Sequence, residues 1–197
     1  MKKISKTASE TKAAFSDKYL LENTISLVKE NGIDTIFETG TCLGKSTKIL
    51  SETFPDAKIF SYEALQENYV AASSFCQDNN NVVIRNISSP DGLREDVVAG
   101  KSNVLFFLDA HWGENWPIRE ELSVMKEKGI TPVVIVHDFF VPDGNGGSKY
   151  GFDSYKGSPL DFGYIEGKLN EIYESQYDYF YSDAVELNSG VIYIRKK

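Results

Sequence analysis

The chain of 197 residues reads as an α/β protein, a three-layer sandwich around a mostly parallel seven-stranded sheet with a C-terminal antiparallel strand pair. Three observations predict this. Short, continuously apolar runs recur, and each is followed by apolar residues at helical spacing, the pattern of parallel strands covered on both faces. The ends of those runs gather Gly, Asp, Glu and His, as expected where the carboxyl edge of such a sheet binds ligands. The last two apolar runs are separated by a few turn-forming residues, too few for a crossover helix, so they form an antiparallel pair.

The elements follow in order. Residues 1–16 are polar and read as an N-terminal arm or a frayed helix. From Asp17 a helix carries Leu20, Leu21, Thr24, Leu27 and Val28 on one face and stops at Asn31-Gly32. "TIFE" (35–38) is a buried strand, and the helix after it carries Ile49, Leu50 and Phe54. "KIFSY" (58–62) is the second strand, and residues 66–77 form a helix packing Tyr69, Ala72, Phe75 and Cys76. "NVVIRNI" (81–87) is the third strand, with a short helix near 91–99. "VLFFLD" (104–109) is the fourth and most apolar. Asn115 caps the next helix, Pro117 lies in its first turn, and Ile118, Leu122 and Met125 face inward. "PVVIVHD" (132–138) is the fifth strand, and "YDYFYS" (177–182) and "GVIYIRK" (190–196) are the closing pair. The Gly- and Asp-rich segment 139–161 is a lid or acceptor loop, since loops of this length in a compact domain are usually functional.

Composition narrows the function. An apolar share of 41% with 25% charged residues fits one globular domain spanning 1–197. No apolar run approaches the roughly 18–20 residues of a membrane helix, and the N-terminus lacks a signal-peptide core. Cys42 and Cys76 form no disulfide or zinc pattern, so a cytoplasmic protein is expected. A net charge of −8 argues against nucleic acid and favours a small-molecule partner. The sequence leaves oligomeric state open, a homodimer included.

"FETGTCLGKST" (37–47) admits three readings. A phosphate-binding P-loop needs four residues between its glycines, and Gly40 and Gly44 have three between them; Glu38 would also repel a phosphate. A dinucleotide loop needs a glycine where Cys42 stands. A cofactor with a sulfonium and an ammonium but no phosphate, S-adenosylmethionine, tolerates acids. Glu38, Gly40, Gly44 and then Glu63, an acid at the end of the second strand suited to two ribose hydroxyls, supply the order it needs.

"FETGTCLGKST", "FSYEA", "NVVIRNISSPDGL", "FFLDAHWGENWPIREEL" and "VVIVHDFFVPD" together resemble the successive motifs of class I S-adenosylmethionine-dependent methyltransferases, with a Rossmann-like fold. The likeness spans about residues 34–142 and is nearest the metal-assisted O-methyltransferase-like group that acts on small molecules and sugars. It implies cofactor contacts by Glu38, Gly40, Thr41, Gly44, Glu63, Ser88 and Asp109. Glu38, Gly40 and Gly44 would line the methionine end and Ser88 the adenine. It also implies a divalent metal (Mg²⁺, Mn²⁺ or Fe²⁺) on Asp109, His137 and Asp138. His137 departs from the carboxylate that relatives carry there, which shifts the preference away from Mg²⁺ or leaves His137 only orienting Asp138. His111 stands where a general base could take a hydroxyl proton, or where a histidine simply bonds a neighbouring loop. Trp112, Trp116 and Tyr150 are candidate walls of the acceptor pocket. The alternatives are a P-loop-like NTPase or kinase, and a non-catalytic or hydroxylase-like protein on the same fold.

Overall fold

A computed structural model of the protein describes residues 12–111 and 116–197, so Trp112 and the expected cap Asn115 lie outside the described residues. Five strands, β1 (Thr35–Thr39), β2 (Lys58–Tyr62), β3 (Val82–Arg85), β4 (Val104–Leu108) and β5 (Val133–Val136), run parallel in the order β3-β2-β1-β4-β5. A two-residue hairpin follows, β6 (Ser154–Tyr155) with β7 (Ser158–Pro159). Strands β8 (Tyr177–Tyr181) and β9 (Ile192–Lys196) then complete the sheet, β9 antiparallel to β5 and β8 antiparallel to β9. This is the predicted seven-stranded sheet with its closing antiparallel pair.

Helices α1 (Lys18–Glu30), α2 (Lys45–Thr53), α3 (Gln66–Phe75), α4 (Ser89–Asp96), α5 (Ile118–Glu127) and α6 (Phe162–Tyr173) connect or flank the strands. Strand alternation divides the core between two layers. Phe106, Leu108, Val134 and Val136 pack with residues of α4, α5 and α6, while Leu105, Phe107 and Ile135 pack with residues of α1 and α2. Asp17 is the cap of α1, its carboxylate accepting from the backbone N–H groups of Tyr19 and Leu20 at 3.0 and 3.2 Å. Its other oxygen accepts from the N–H of Leu187 at 3.0 Å and so ties the C-terminal segment to the first helix.

Two expectations are corrected. Residues 14–16 are not a loose arm: they form a 3-10 turn in which Ala14 and Phe15 are buried, and the Phe15 ring lies 4.5 Å from that of Phe107. The chain before α1 carries an apolar anchor that is hard to see as a single aromatic among polar residues. Helix α3 buries only Ala72, with Cys76 at its end; Phe75 is exposed and Tyr69 half-buried, because α3 covers an edge of the sheet where little apolar surface remains.

The segment 139–161 is tied down at its base. Phe139 and Phe140 donate backbone bonds to Gly190 and Leu160, each at 2.8 Å, and Phe139, Val141 and Leu160 are buried. The Phe15 anchor is testable by truncation. Phe15→Ala should cost about 3–5 kcal/mol, the range for deleting a buried aromatic, and urea unfolding would measure it. A variant as stable as the parent would show that the turn packs weakly.

Candidate active site

Strand register sets the site. Thr39 stands opposite Tyr62 and Leu108, and Leu108 opposite Val136, so β1, β2, β4 and β5 end level. The next residues, Gly40, Glu63, Asp109 and His137, leave the sheet together. The strand order reverses beside β1, the switch point where open parallel sheets bind ligands. A cavity of about 340 Å³ opens there, within the usual range for ligand pockets. Its wall includes Gly40, Thr41, Cys42, Glu63, Ser88 and Asp109.

The glycine loop is bound back onto β2. The N–H groups of Gly40 and Thr41 donate to the Tyr62 carbonyl at 3.2 and 3.1 Å, that of Cys42 to Glu63 Oε2 at 2.8 Å, and that of Gly44 to the Thr41 carbonyl at 2.9 Å. Gly40 (φ +84°) is required for a second reason: a Cβ there would meet the Asp109 carbonyl oxygen at 2.8 Å. With four loop amides already used, no nest remains at those positions to wrap a phosphate. The other Glu63 oxygen accepts from the Leu65 N–H at 2.8 Å, so the carboxylate is fixed in place on the cavity wall. Ser88, before α4, donates its hydroxyl to Asp91 at 2.5 Å and faces the same cavity, beside Ser89 and Pro90.

Two carboxyls are buried behind this wall. Glu38, 1% exposed, accepts from Thr47 Oγ1 at 2.5 Å and Ser61 Oγ at 2.6 Å, while its Oε1 has no partner. Burial pushes its pKa up to about 7 against those two hydrogen bonds, and the charge of Asp109 adds to the rise. Glu121 on α5, equally buried, accepts from Ser89 Oγ at 2.5 Å; burial lifts it to about 7 against hydrogen bonds from Ser89 and Thr39.

Beyond Asp109 lies a cluster of two imidazoles and three carboxylates. His137 Nδ1 is 3.0 Å from Asp109 Oδ1 and 3.6 Å from Asp138 Oδ1. Burial opposes a charge on His137, yet Asp109 and Asp138 outweigh it and hold the ring well above its ordinary range. Burial also works against the Asp138 carboxylate, but the His137 hydrogen bond and charge bring it down to about 2. Asp138 adopts φ +51°, in the left-handed region, directly after β5 and His137. On its far side, His111 Nε2 lies 3.9 Å from Asp138 Oδ2 and His111 Nδ1 lies 3.4 Å from Asp153 Oδ2.

Five of the residues singled out from sequence for the cofactor, Gly40, Thr41, Glu63, Ser88 and Asp109, thus share one cavity wall, with His111 beside them. Glu38 and Gly44 do not line it. Glu38 lies beneath the loop, and Gly44 (φ +76°) is where α2 meets α3, a Cβ there approaching Cys76 Sγ at 3.1 Å. Trp116 lines a smaller adjacent cavity with His111, Glu121, His137, Asp153 and Leu160. Tyr150 is not on either wall; its hydroxyl donates to the Asp183 carbonyl at 2.7 Å. Asp153 and Glu121 were missed. Glu121 carried a signal, a carboxylate one turn from Ile118 and Met125 on the inward face of α5; Asp153 carried none among the acids of its loop.

No family model and no curated protein matches the chain in sequence. Solved structures match it in fold. A protein of Klebsiella pneumoniae provisionally named an O-methyltransferase superposes with TM-score 0.59 at 18% identity, covering 95% of this chain and 82% of its own. A Staphylococcus aureus protein provisionally named a caffeoyl-CoA O-methyltransferase gives 0.57 at 15% identity, over 90% and 83%. The N-terminal domain of EvdMO1, solved with S-adenosylhomocysteine bound, gives 0.53 at 15%, over 90% and 80%. The likeness is one of fold: the chain shares the architecture of these solved structures.

The buried Glu38 has a measurable signature. A carboxyl raised on folding destabilises the native state as it ionises, so the parent should lose stability relative to Glu38→Gln as pH rises from 4.5 through about 7. The relative change is on the order of 3 kcal/mol for a shift of this size. Urea unfolding of both proteins across that window checks it, and a constant difference would contradict the assignment.

Proposed function

We propose that the protein transfers a methyl group from S-adenosylmethionine to a hydroxyl of a small-molecule or sugar acceptor. The observation that carries this is the Glu63 carboxylate, held on the cavity wall by the N–H groups of Cys42 and Leu65 while the loop amides are spent on β2. Such a wall welcomes ribose hydroxyls and a cationic centre and disfavours phosphate. That same observation weighs against the NTPase reading, which needs those amides.

The cofactor, when bound, supplies a methyl group on a positively charged sulfur. The chain's own residues bind and orient it. Glu63 accepts hydrogen bonds from ribose hydroxyls through the lone pairs not used by Cys42 and Leu65. Ser88, Pro90 and Leu65 enclose the adenine. Gly40, Thr41 and Asp109 face the methionine end, where Asp109 complements its positive charges. Glu38 and Gly44 act from behind the wall, shaping the loop rather than touching the ligand.

His111 is half-exposed at the junction of the two cavities, where an acceptor hydroxyl would meet the methyl group. It would take the proton of an acceptor hydroxyl as the oxygen–methyl bond forms and the sulfur–methyl bond breaks, S-adenosylhomocysteine being the leaving group. Trp116, Ile118 and Leu160 bound the acceptor side. At Asp109, His137 and Asp138 an imidazole nitrogen already stands between the two carboxylates. The three donor atoms lie within 4.8 Å of one another, a set that would hold a divalent ion and through it lower the pKa of an acceptor oxygen, and His137 also orients both aspartates.

Calorimetry should show S-adenosylhomocysteine binding to the parent and a loss of about 10–100-fold in Glu63→Ala, the size of a charge-assisted hydrogen-bond pair. ATP with Mg²⁺ should give no thermal stabilisation. Absence of S-adenosylhomocysteine binding at millimolar ligand would overturn the reading.

A further inference from the structure

We propose that Glu121 is a positioning residue, one carboxyl that ties the cofactor wall to the acceptor wall through the hydroxyls of Ser89 and Thr39, a role that rests on the methyl-transfer reading. Glu121 is 1% exposed and lines the smaller cavity with Asp109, His111 and Trp116. Its Oε1 accepts from Ser89 Oγ at 2.5 Å, and Ser89, the first residue of α4, stands on the wall of the larger cavity. A second hydrogen bond joins Glu121 to the side chain of Thr39 at the end of β1. Thr39 Oγ1 in turn accepts from the Asp109 N–H at 3.3 Å. One chain of bonds therefore runs from Ser89 through Glu121 and Thr39 to Asp109, which lines both cavities.

Packing alone does not call for a carboxyl here. Ile118, Leu122 and Met125 on the same helix are apolar and buried, and burying an acid among them costs more than burying a leucine. Glu38, the other buried acid of the site, sits beneath the loop and lines neither cavity. Glu121 differs in that it lies on a wall itself and its two partners lead to two further wall positions.

Those positions serve opposite ends of the cofactor. Ser89 lies between Ser88 and Pro90, on the side given to the adenine, and Asp109 faces the methionine end. With their hydrogen bonds committed to Glu121, the hydroxyls of Ser89 and Thr39 do not turn toward a ligand or water, and the wall keeps one shape as cofactor and acceptor enter. Glu121 fixes the two contacts relative to one another without touching the cofactor, from the side on which the acceptor binds.

Glu121→Leu nearly preserves the side chain's size and removes both hydrogen bonds, whereas Glu121→Gln keeps a polar atom for each hydroxyl. Both are compared with Ser89→Ala, Thr39→Val and the double variant Glu121→Leu with Ser89→Ala, each checked for a cooperative urea transition. By calorimetry, S-adenosylhomocysteine affinity should fall about tenfold in Glu121→Leu and stay within about threefold of the parent in Glu121→Gln, with the double variant losing less than the product of its two single losses. Amide hydrogen exchange at Asp109, measured without ligand, should quicken in Glu121→Leu and not in Glu121→Gln. Parent-like affinity in Glu121→Leu, equal losses in the Leu and Gln variants, or unchanged exchange at Asp109 would overturn the role. Were Glu121→Leu not to fold, parent-like affinity in both Ser89→Ala and Thr39→Val would overturn it as well. A parent that binds no S-adenosylhomocysteine removes the methyl-transfer reading and this role with it; binding that Glu121→Leu leaves unaltered removes the role alone.

Discussion

The common level at which β1, β2, β4 and β5 end is the constraint on which the rest of this molecule depends. Parallel pairing fixes it, with Thr39 opposite both Tyr62 and Leu108, and Leu108 opposite Val136. A slip of one residue in any pair would reverse the faces of a whole strand, moving core side chains such as Phe106 and Leu108 into the other layer. The register is therefore set by the hydrophobic layers, and the site follows from it. Gly40, Glu63, Asp109 and His137 meet because the apolar strands beneath them cannot pair otherwise.

Around that edge, polar groups are arranged in depth. Glu63, 7% exposed, is held by loop amides on the cavity wall. Behind it Glu38 and Glu121 are buried, each held by hydroxyl donors that limit but do not cancel the penalty of burial. Glu38 joins Thr47 of α2 to Ser61 of β2, and Glu121 joins α5 to Ser89 of α4. Both couple the elements that frame the cavity. Their protonation and the rigidity of the frame are therefore linked.

The cluster at β4 and β5 separates into an inner and an outer part with Asp138 between them. Buried His137 serves the inner part, its Nδ1 lying between Asp109 and Asp138. The outer part combines half-exposed side chains with a loop whose backbone is bonded to Asp138. This division makes the loop after β5 part of the site and not merely a cover over it.

The sequence by itself determined the fold class, since uninterrupted apolar strands alternating with amphipathic helices leave few ways to bury both faces of a sheet. It also pointed to the strand ends that meet at the cavity, because Gly40, Glu63 and Asp109 directly follow a strand and Ser88 lies three residues past one. What it left undecided has one physical origin: burial and long-range pairing are not written locally. Glu38 reads as a ligand contact until the structure places it under the loop, and Phe15 reads as part of a loose arm until Phe107 is found against it. Asp153 is one acid among several in its loop, and only the tertiary structure brings it beside His111 and Asp138. The strand ends were legible because their residues adjoin the pattern that predicts them; the partners across the sheet were not, because the fold alone decides which distant side chains become neighbours.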